Sequence, residues 1–163
     1  ALVFNGISHV VMMATPAELE DFALGFSLSE GIVSSSQQVL DIEPRCVSEG
    51  IELSISITGE AFAQLKNKRR NLTGRTGCGL CGAESLKQAK PVLEPVTSDL
   101  KISHQALQVA INNLQQHQHL HQYLQQQTGA VHAAIWCDDQ GQLLLAREDV
   151  GRHNALQNYQ THF

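Results

Sequence analysis

Residues 51–57 alternate between apolar and polar side chains and restrict the local fold more than any other segment. The apolar members are Ile51, Leu53, Ile55 and Ile57. Because successive side chains of a β-strand point to opposite faces, this alternation predicts a strand with one buried face. Residues 60–69 are predicted to form a helix directly after it.

Helical and extended patterns also alternate along the rest of the chain. Strands are predicted over 8–14, 39–43, 130–137 and 143–146, and helices over 15–31, 83–90, 103–127 and 151–158. Thr15 and Glu18 have the spacing of a capping box, and Ser103 is a second predicted helix cap. Residues 138–141 (DDQG) are a predicted hairpin turn. Helices between short strands indicate an α/β or α+β layered fold.

The composition argues against two classes of partner. Apolar residues make up 42% of the chain, which is enough for a core, and 16 acidic against 11 basic residues give a net charge of −5. An acidic chain is a poor candidate for nucleic-acid binding. No apolar run is long enough to span a bilayer, and no segment resembles a signal peptide. We therefore expect neither nucleic acid nor membrane as a partner.

The four cysteines do not have the spacing of a small disulfide-linked secreted fold. Cys46 and Cys137 lie within or beside apolar stretches and are predicted to be buried core thiols. Reduced thiols favour a cytoplasmic location.

The other two cysteines, Cys78 and Cys81, lie in a loop where glycine occupies positions 77, 79 and 82. Glycine permits backbone conformations and close approaches that other residues do not. Three interpretations stay open: structural zinc with ligands from His132, Cys137 or Cys46, dithiol exchange, and sulfur transfer through a persulfide. Five basic residues precede the loop and form either a solvated helix end or a positive field beside the thiols: Lys66, Lys68, Arg69, Arg70 and Arg75.

A second group of polar residues, 147–155, is predicted at a strand-to-helix junction. The planar guanidinium of Arg152 can donate two N–H bonds to a phosphate, and His153 and Asn154 can hydrogen-bond a base or sugar. Alternatively, Asp149 merely accepts backbone N–H bonds at the start of the helix.

Two histidine-containing segments invite metal-site hypotheses. His117, His119 and His121 cannot share one helix face, which disfavours a metal tract. His132, taken together with the Cys-x-x-Cys pair, prompts comparison with zinc deaminases, but Ala134 stands where their catalytic glutamate is expected, and the cysteine pair precedes the histidine instead of following it. Deaminase chemistry is therefore disfavoured.

Several of these segments together resemble one known family. They are Asn5-Gly6, 15–32 (TPAELEDFALGFSLSEGI), 77–82 (GCGLCG), 128–134 and 148–155 (EDVGRHNA). The chain resembles the formate dehydrogenase accessory sulfurtransferase family, FdhD, along nearly its whole length. The motifs GCGLCG and EDVGRHNA are highly specific in combination.

The resemblance implies a sulfurtransferase. Family members accept sulfur from a cysteine desulfurase and pass it to the molybdenum cofactor in its bis(guanine dinucleotide) molybdopterin form, which activates formate dehydrogenase. For this chain it implies that cofactor as a bound substrate, no permanently bound metal, and a homodimer. A cofactor-binding chaperone without thiol chemistry and a structural zinc protein are the alternatives.

The resemblance also implies a fold and a set of site residues. The expected fold is a smaller N-terminal α+β part, 1–98, that carries the cysteine loop, followed by a cytidine deaminase-like domain, 99–163. That domain is expected to be incomplete, because family members continue past the position of Phe163 and also begin earlier. Cys78 or Cys81 would hold the persulfide. The expected cofactor-binding residues are Arg75, Thr128, His132, Arg152, His153 and Asn154, and Ala130 departs from the glycine common in the family.

Overall fold

The structure is a computed structural model of the 163-residue chain. It describes residues 1–70, 95–121 and 123–158, and of residues 68–70, 118–121, 123 and 124 it describes only the backbone. The cysteine loop and the predicted helix 83–90 lie outside the described residues.

Helices and two separate sheets make up the described part, which confirms the predicted layered α/β class. The elements are β1 (Leu2–Phe4), β2 (Ile7–Val10), α1 (Leu19–Ser29), β3 (Val39–Val47), β4 (Gly50–Ile57), α2 (Gly59–Arg70), α3 (His104–His121), α4 (Tyr123–Thr128), β5 (His132–Cys137), β6 (Leu143–Asp149) and α5 (Arg152–Gln157). The domain boundary near residue 98 stays a prediction.

The first four strands form one sheet in the order β2-β1-β4-β3, with β1 parallel to β4 and the other pairs antiparallel. The strand predicted over 51–57 is confirmed as β4, whose Leu53, Ile55 and Ile57 are buried. Asn5 and Gly6 have positive φ and make the tight turn between β1 and β2.

The hydrophobic core lies between this sheet and helices α1 and α2. Its largest fully buried apolar side chains are Phe4, Phe22, Leu2, Ile55 and Ile57. Each such side chain contributes about 2 kcal/mol to folding by leaving water. Every member of the buried cluster falls between residues 2 and 65, so the core belongs to the first part of the chain.

Helix α1 begins later than its sequence pattern predicts. The expected capping box at Thr15 is wrong: the helix starts at Leu19, and Glu18 precedes it in a left-handed conformation with φ 50° and no side-chain cap. The reason is a competing tertiary contact, since Thr15 hydrogen-bonds residues 149 and 150 near the other end of the chain. The predicted stop is correct, because Gly31 follows the helix with φ 59°.

Strand β3 runs four residues beyond its predicted end and includes Pro44, which pairs with Leu53. A proline is tolerated there because β3 is an edge strand, so its missing N–H faces no partner strand. The added residues are exposed, including Cys46. The prediction that Cys46 is a buried core thiol is therefore wrong, and Cys137 is only half-buried.

The C-terminal elements combine helices with a two-stranded hairpin, β5–β6. The Ser103 cap is confirmed, since its Oγ accepts the Ala106 N–H at 3.0 Å. The predicted turn at 138–141 is also confirmed, with Asp138 Oδ1 accepting the N–H groups of Gln140 and Gln142. Strand β6 extends three residues past its predicted end, to Asp149, while β2 stops at Val10 rather than Ala14. In the described part of the chain, no helix combines the length and apolarity needed to cross a membrane.

Candidate functional site

The open end of the β5–β6 hairpin brings together two segments that the sequence separates. The strands are antiparallel, and His132 at the start of β5 pairs with Asp149 at the end of β6. Thr128 lies four residues before His132, and Arg152 begins α5 just after Asp149. The segments 128–132 and 149–154 therefore share one end of the hairpin.

Asp149 organises this hairpin end. Its side chain is 1% exposed, and its carboxylate accepts three hydrogen bonds: from the Thr15 N–H at 2.8 Å, the Gly151 N–H at 2.7 Å and the Asn154 side-chain amide at 3.0 Å. A buried carboxylate is stable when several donors satisfy it. The alternative interpretation, in which Asp149 accepts backbone N–H bonds at the helix start, thus describes what this residue does.

Asn154 ties the hairpin end to the segment before α1. The residue is 5% exposed, and besides Asp149 its Nδ2 donates to the Met13 carbonyl at 2.9 Å. The Thr15 hydroxyl accepts the Val150 N–H at 3.0 Å. Residues 13–15 and 149–154 are consequently held as one hydrogen-bonded unit.

Arg147 makes a second link between the hairpin and α1. Its guanidinium donates to Asp21 Oδ2 at 2.7 Å from Nη2 and 3.2 Å from Nε, and Nε also lies 3.4 Å from Glu18 Oε2. The Arg147 side chain is 12% exposed, so the pair is shielded from water more than an ordinary surface ion pair. This contact fixes the hairpin against the first turn of α1.

Glu148 lies between Arg147 and Asp149 in the sequence, and its side chain is on the other face of β6. Burial raises the pKa of its carboxyl, and a hydrogen bond from the backbone of Gln125 offsets part of the increase. Its Oε1 has no hydrogen-bond partner among the described residues.

Burial also raises the pKa of the Cys137 thiol, with a smaller contribution from the Asp138 charge, so Cys137 is a poor source of thiolate.

The structure separates the predicted site residues into three groups. Thr128, His132, Arg152 and His153 are exposed at the shared hairpin end. Asn154 is buried there, with its amide nitrogen already bonded to Asp149 and Met13. Arg75, Cys78 and Cys81 lie outside the described residues.

Sequence reasoning missed the residues that hold this end in place. The sequence pattern predicts a helix cap for Thr15 and no role for Met13 or Asp21. Thr15 and Asp149 are 134 positions apart, and no local pattern in a single sequence signals such a pair. Only the crowding of charged and polar residues over 147–155 indicates an organised junction.

Comparison with known proteins defines the class to which this fold and hairpin end belong. The model of the FdhD/NarQ family matches residues 1–158, and the chain belongs to that family. It is 57% identical over 156 residues to the sulfur carrier protein FdhD of Cupriavidus necator and 50% identical to that of Variovorax paradoxus. The matches cover 96% of this chain and 53% and 55% of those two proteins. The chain thus spans about half the length of the curated relatives it matches.

A solved structure supports the fold. The crystal structure of a putative formate dehydrogenase accessory protein from Desulfotalea psychrophila superposes with a TM-score of 0.60 at 22% identity, over 98% of this chain and 54% of that one. The described arrangement of helices and sheets is therefore one that a solved protein also adopts.

Proposed function

We propose that the protein is a sulfur carrier that serves the maturation of formate dehydrogenase. The observation that carries this proposal is the glycine-flanked pair Cys78 and Cys81, in a chain whose relatives bear the name sulfur carrier protein. In this proposal a cysteine desulfurase donates the sulfur, and the molybdenum bis(guanine dinucleotide) cofactor receives it as substrate. The protein works in the cytoplasm as a homodimer, and residues 99–163 belong to a cytidine deaminase-like domain.

The proposed chemistry begins with sulfur uptake. The thiolate of one loop cysteine attacks the outer sulfur of the donor's persulfide, a new S–S bond forms, the donor's S–S bond breaks, and the donor leaves as a thiolate. The loop cysteine then holds the transferred sulfur as a persulfide.

Release uses the second loop cysteine. Its thiolate attacks the inner sulfur of the persulfide, which forms a Cys78–Cys81 disulfide and expels the outer sulfur as hydrosulfide for the cofactor to accept. The transferred sulfur is reduced and the two thiols are oxidised by the same two electrons. A cellular dithiol then reduces the disulfide before the next cycle.

The exposed hairpin end is the proposed contact surface for the cofactor. Arg152, with Arg75 from the loop, can pair with phosphate through its planar guanidinium, while His132, His153 and Thr128 offer hydrogen bonds to guanine or sugar. Because the Asn154 amide nitrogen is already bonded, any contact of Asn154 with cofactor falls to its amide oxygen.

Formate dehydrogenase activity in cells that depend on this protein tests the proposal. We expect Cys78→Ser or Cys81→Ser to lower that activity at least about tenfold at equal protein level. Cys46→Ser is the matched control, because Cys46 is an exposed thiol outside the loop, and it should leave activity unchanged.

Two results would favour the alternatives instead. Full activation by a protein lacking both loop cysteines would indicate a cofactor chaperone without thiol chemistry. One tightly held zinc per chain, lost together with folding in the Cys78→Ser variant, would indicate a structural metal site.

A further inference from the structure

An open apolar groove lies on the first sheet, at the side where β2 leads into α1. It encloses about 440 Å³ and is lined mainly by aliphatic and thioether side chains, among them Val11, Met12, Met13, Leu19 and Val47. A space of this size accepts two or three apolar side chains of a partner. Ala1 also lines it, and its nitrogen donates to the Ile51 carbonyl at 2.6 Å.

The rim of this groove is unusually exposed for such apolar side chains. Met13 is 85% exposed, Val11 76% and Val47 49%. Contiguous exposed apolar surface edged by polar residues is typical of protein interaction sites, and flexible methionine side chains adapt to different partners.

The flank of the groove is acidic. A neighbouring depression of about 430 Å³ shares Pro16 and Leu19 with it and adds Glu18, Glu20 and Asp21, while Glu49 lines the groove itself. Neither depression has a lysine or arginine among its described lining residues. Arg147 pairs with Asp21 and Glu18 and neutralises part of their charge, whereas Glu20 and Glu49 are exposed.

We propose that this groove and its acidic flank dock a partner polypeptide segment in which apolar side chains alternate with lysine or arginine. Charge complementarity selects such a partner over a second copy of this chain. A symmetric contact would press the acidic flank against itself in a molecule of net charge −5. The proposal does not depend on the sulfur chemistry of the cysteine loop.

The position of the groove gives docking a structural connection to the hairpin end. Met13 and Thr15 belong to the segment that forms the groove wall and bonds to Asn154 and Asp149. A partner seated on residues 11–14 therefore contacts the same rigid unit that presents Arg152 and His153.

Titration with two synthetic amphipathic peptides tests the docking site. One peptide combines leucine with lysine, and its match replaces each lysine by glutamate. We expect only the lysine peptide to bind, with an affinity that falls as salt rises. Val11→Lys and Met13→Lys should each weaken it at least about tenfold, and the pair Glu20→Gln with Glu49→Gln should weaken it several-fold.

Leu144→Lys is the matched control, because Leu144 is 59% exposed on the hairpin and away from the groove. It adds the same charge and should bind the lysine peptide as the unchanged protein does. All variants alter exposed side chains, and circular dichroism checks that each is folded.

Three outcomes would overturn the proposal. If Leu144→Lys weakens binding of the lysine peptide as much as the groove variants do, the peptide adsorbs generally to an acidic protein. If the glutamate peptide binds equally well, charge does not select the partner. A dimer in sedimentation that Val11→Lys dissociates, without peptide binding, would assign the groove to a second copy of the chain.

Discussion

At the scale of single residues, Asp149 is the position on which the hairpin end depends most. Its buried carboxylate faces three donors. Asp149→Asn replaces one accepting oxygen by a donor, so at least one buried N–H group loses its partner. We expect a loss of about 3 kcal/mol in the free energy of unfolding, measured by urea denaturation.

Asp139→Asn is the control for this change, because Asp139 lies exposed in the hairpin turn. It should alter stability by less than about 0.5 kcal/mol. Equal effects of the two substitutions would contradict the assignment of Asp149 as the organising residue.

Glu148 gives a prediction that depends on pH. Because burial raises the pKa of its carboxyl in the folded state, the folded protein favours the protonated form more than the unfolded chain does. The contribution of Glu148 to the free energy of unfolding is therefore most favourable below the ordinary glutamate pKa. It declines as the pH rises through the pKa that Glu148 has in the folded state.

Glu148→Gln keeps an acceptor for the Gln125 backbone but removes the charge. We expect this variant to melt about 2 °C above the unchanged protein at neutral pH, with the difference vanishing near pH 4. Glu20→Gln, at an exposed position, removes the same charge and is the control; it should change the melting temperature at neutral pH little. A Glu148→Gln protein that is less stable than the unchanged protein at neutral pH would contradict the stated cost of this half-buried carboxylate.

At the scale of elements, the contact of the β5–β6 turn with α3 requires glycine at position 141. Gly141 has φ 82°, and a Cβ there would overlap the Ala106 carbonyl oxygen of α3. Its own carbonyl accepts a hydrogen bond from the Asn113 side chain at 2.9 Å. Gly141→Ala should cost about 2 kcal/mol or more in thermal or urea unfolding.

Gly59 provides the comparison, since a Cβ at this helix-starting glycine would meet no atom within 4 Å. Gly59→Ala should be neutral or slightly stabilising. If both glycine substitutions cost the same, the turn does not pack on α3 as described.

Local patterns were sufficient for elements whose determinants are close in sequence. The alternation at 51–57, the Ser103 cap and the turn at 138–141 all predicted what forms, because hydrogen bonds or pleat geometry within a few residues decide them. The start of α1 was not predictable in this way, because a carboxylate 134 positions away takes the Thr15 N–H. The length of β3 depended on its being an edge strand, which only the sheet order reveals.

At the scale of the whole molecule, apolar burial and the candidate site occupy different parts of the chain. The buried apolar cluster lies within residues 2–65. From residue 104 to 158, the buried apolar side chains among those described are Ala106, Val131 and Ala155. Polar contacts through Asp149, Asn154 and Arg147 link the hairpin end to residues 13–15 and to α1, and α5 packs closely on α1 where Gly25 faces the Gln157 backbone.

The sequence predicts candidate site segments but not their arrangement in the fold. The candidate segments are residues 128–134 and 147–155, and the antiparallel pairing of β5 with β6 brings His132 and Asp149 of these segments to one end of the hairpin. No sequence pattern indicates that Asn154 is buried, because its partners Met13 and Asp149 come together only through the tertiary fold.

The most direct test of the account is to locate the sulfur. The purified protein is incubated with a cysteine desulfurase and cysteine, and its peptides are mapped by mass spectrometry without reduction. The account predicts one added sulfur atom on Cys78 or Cys81 and none on the exposed Cys46. Absence of added sulfur from both loop cysteines, with the desulfurase active, would contradict it.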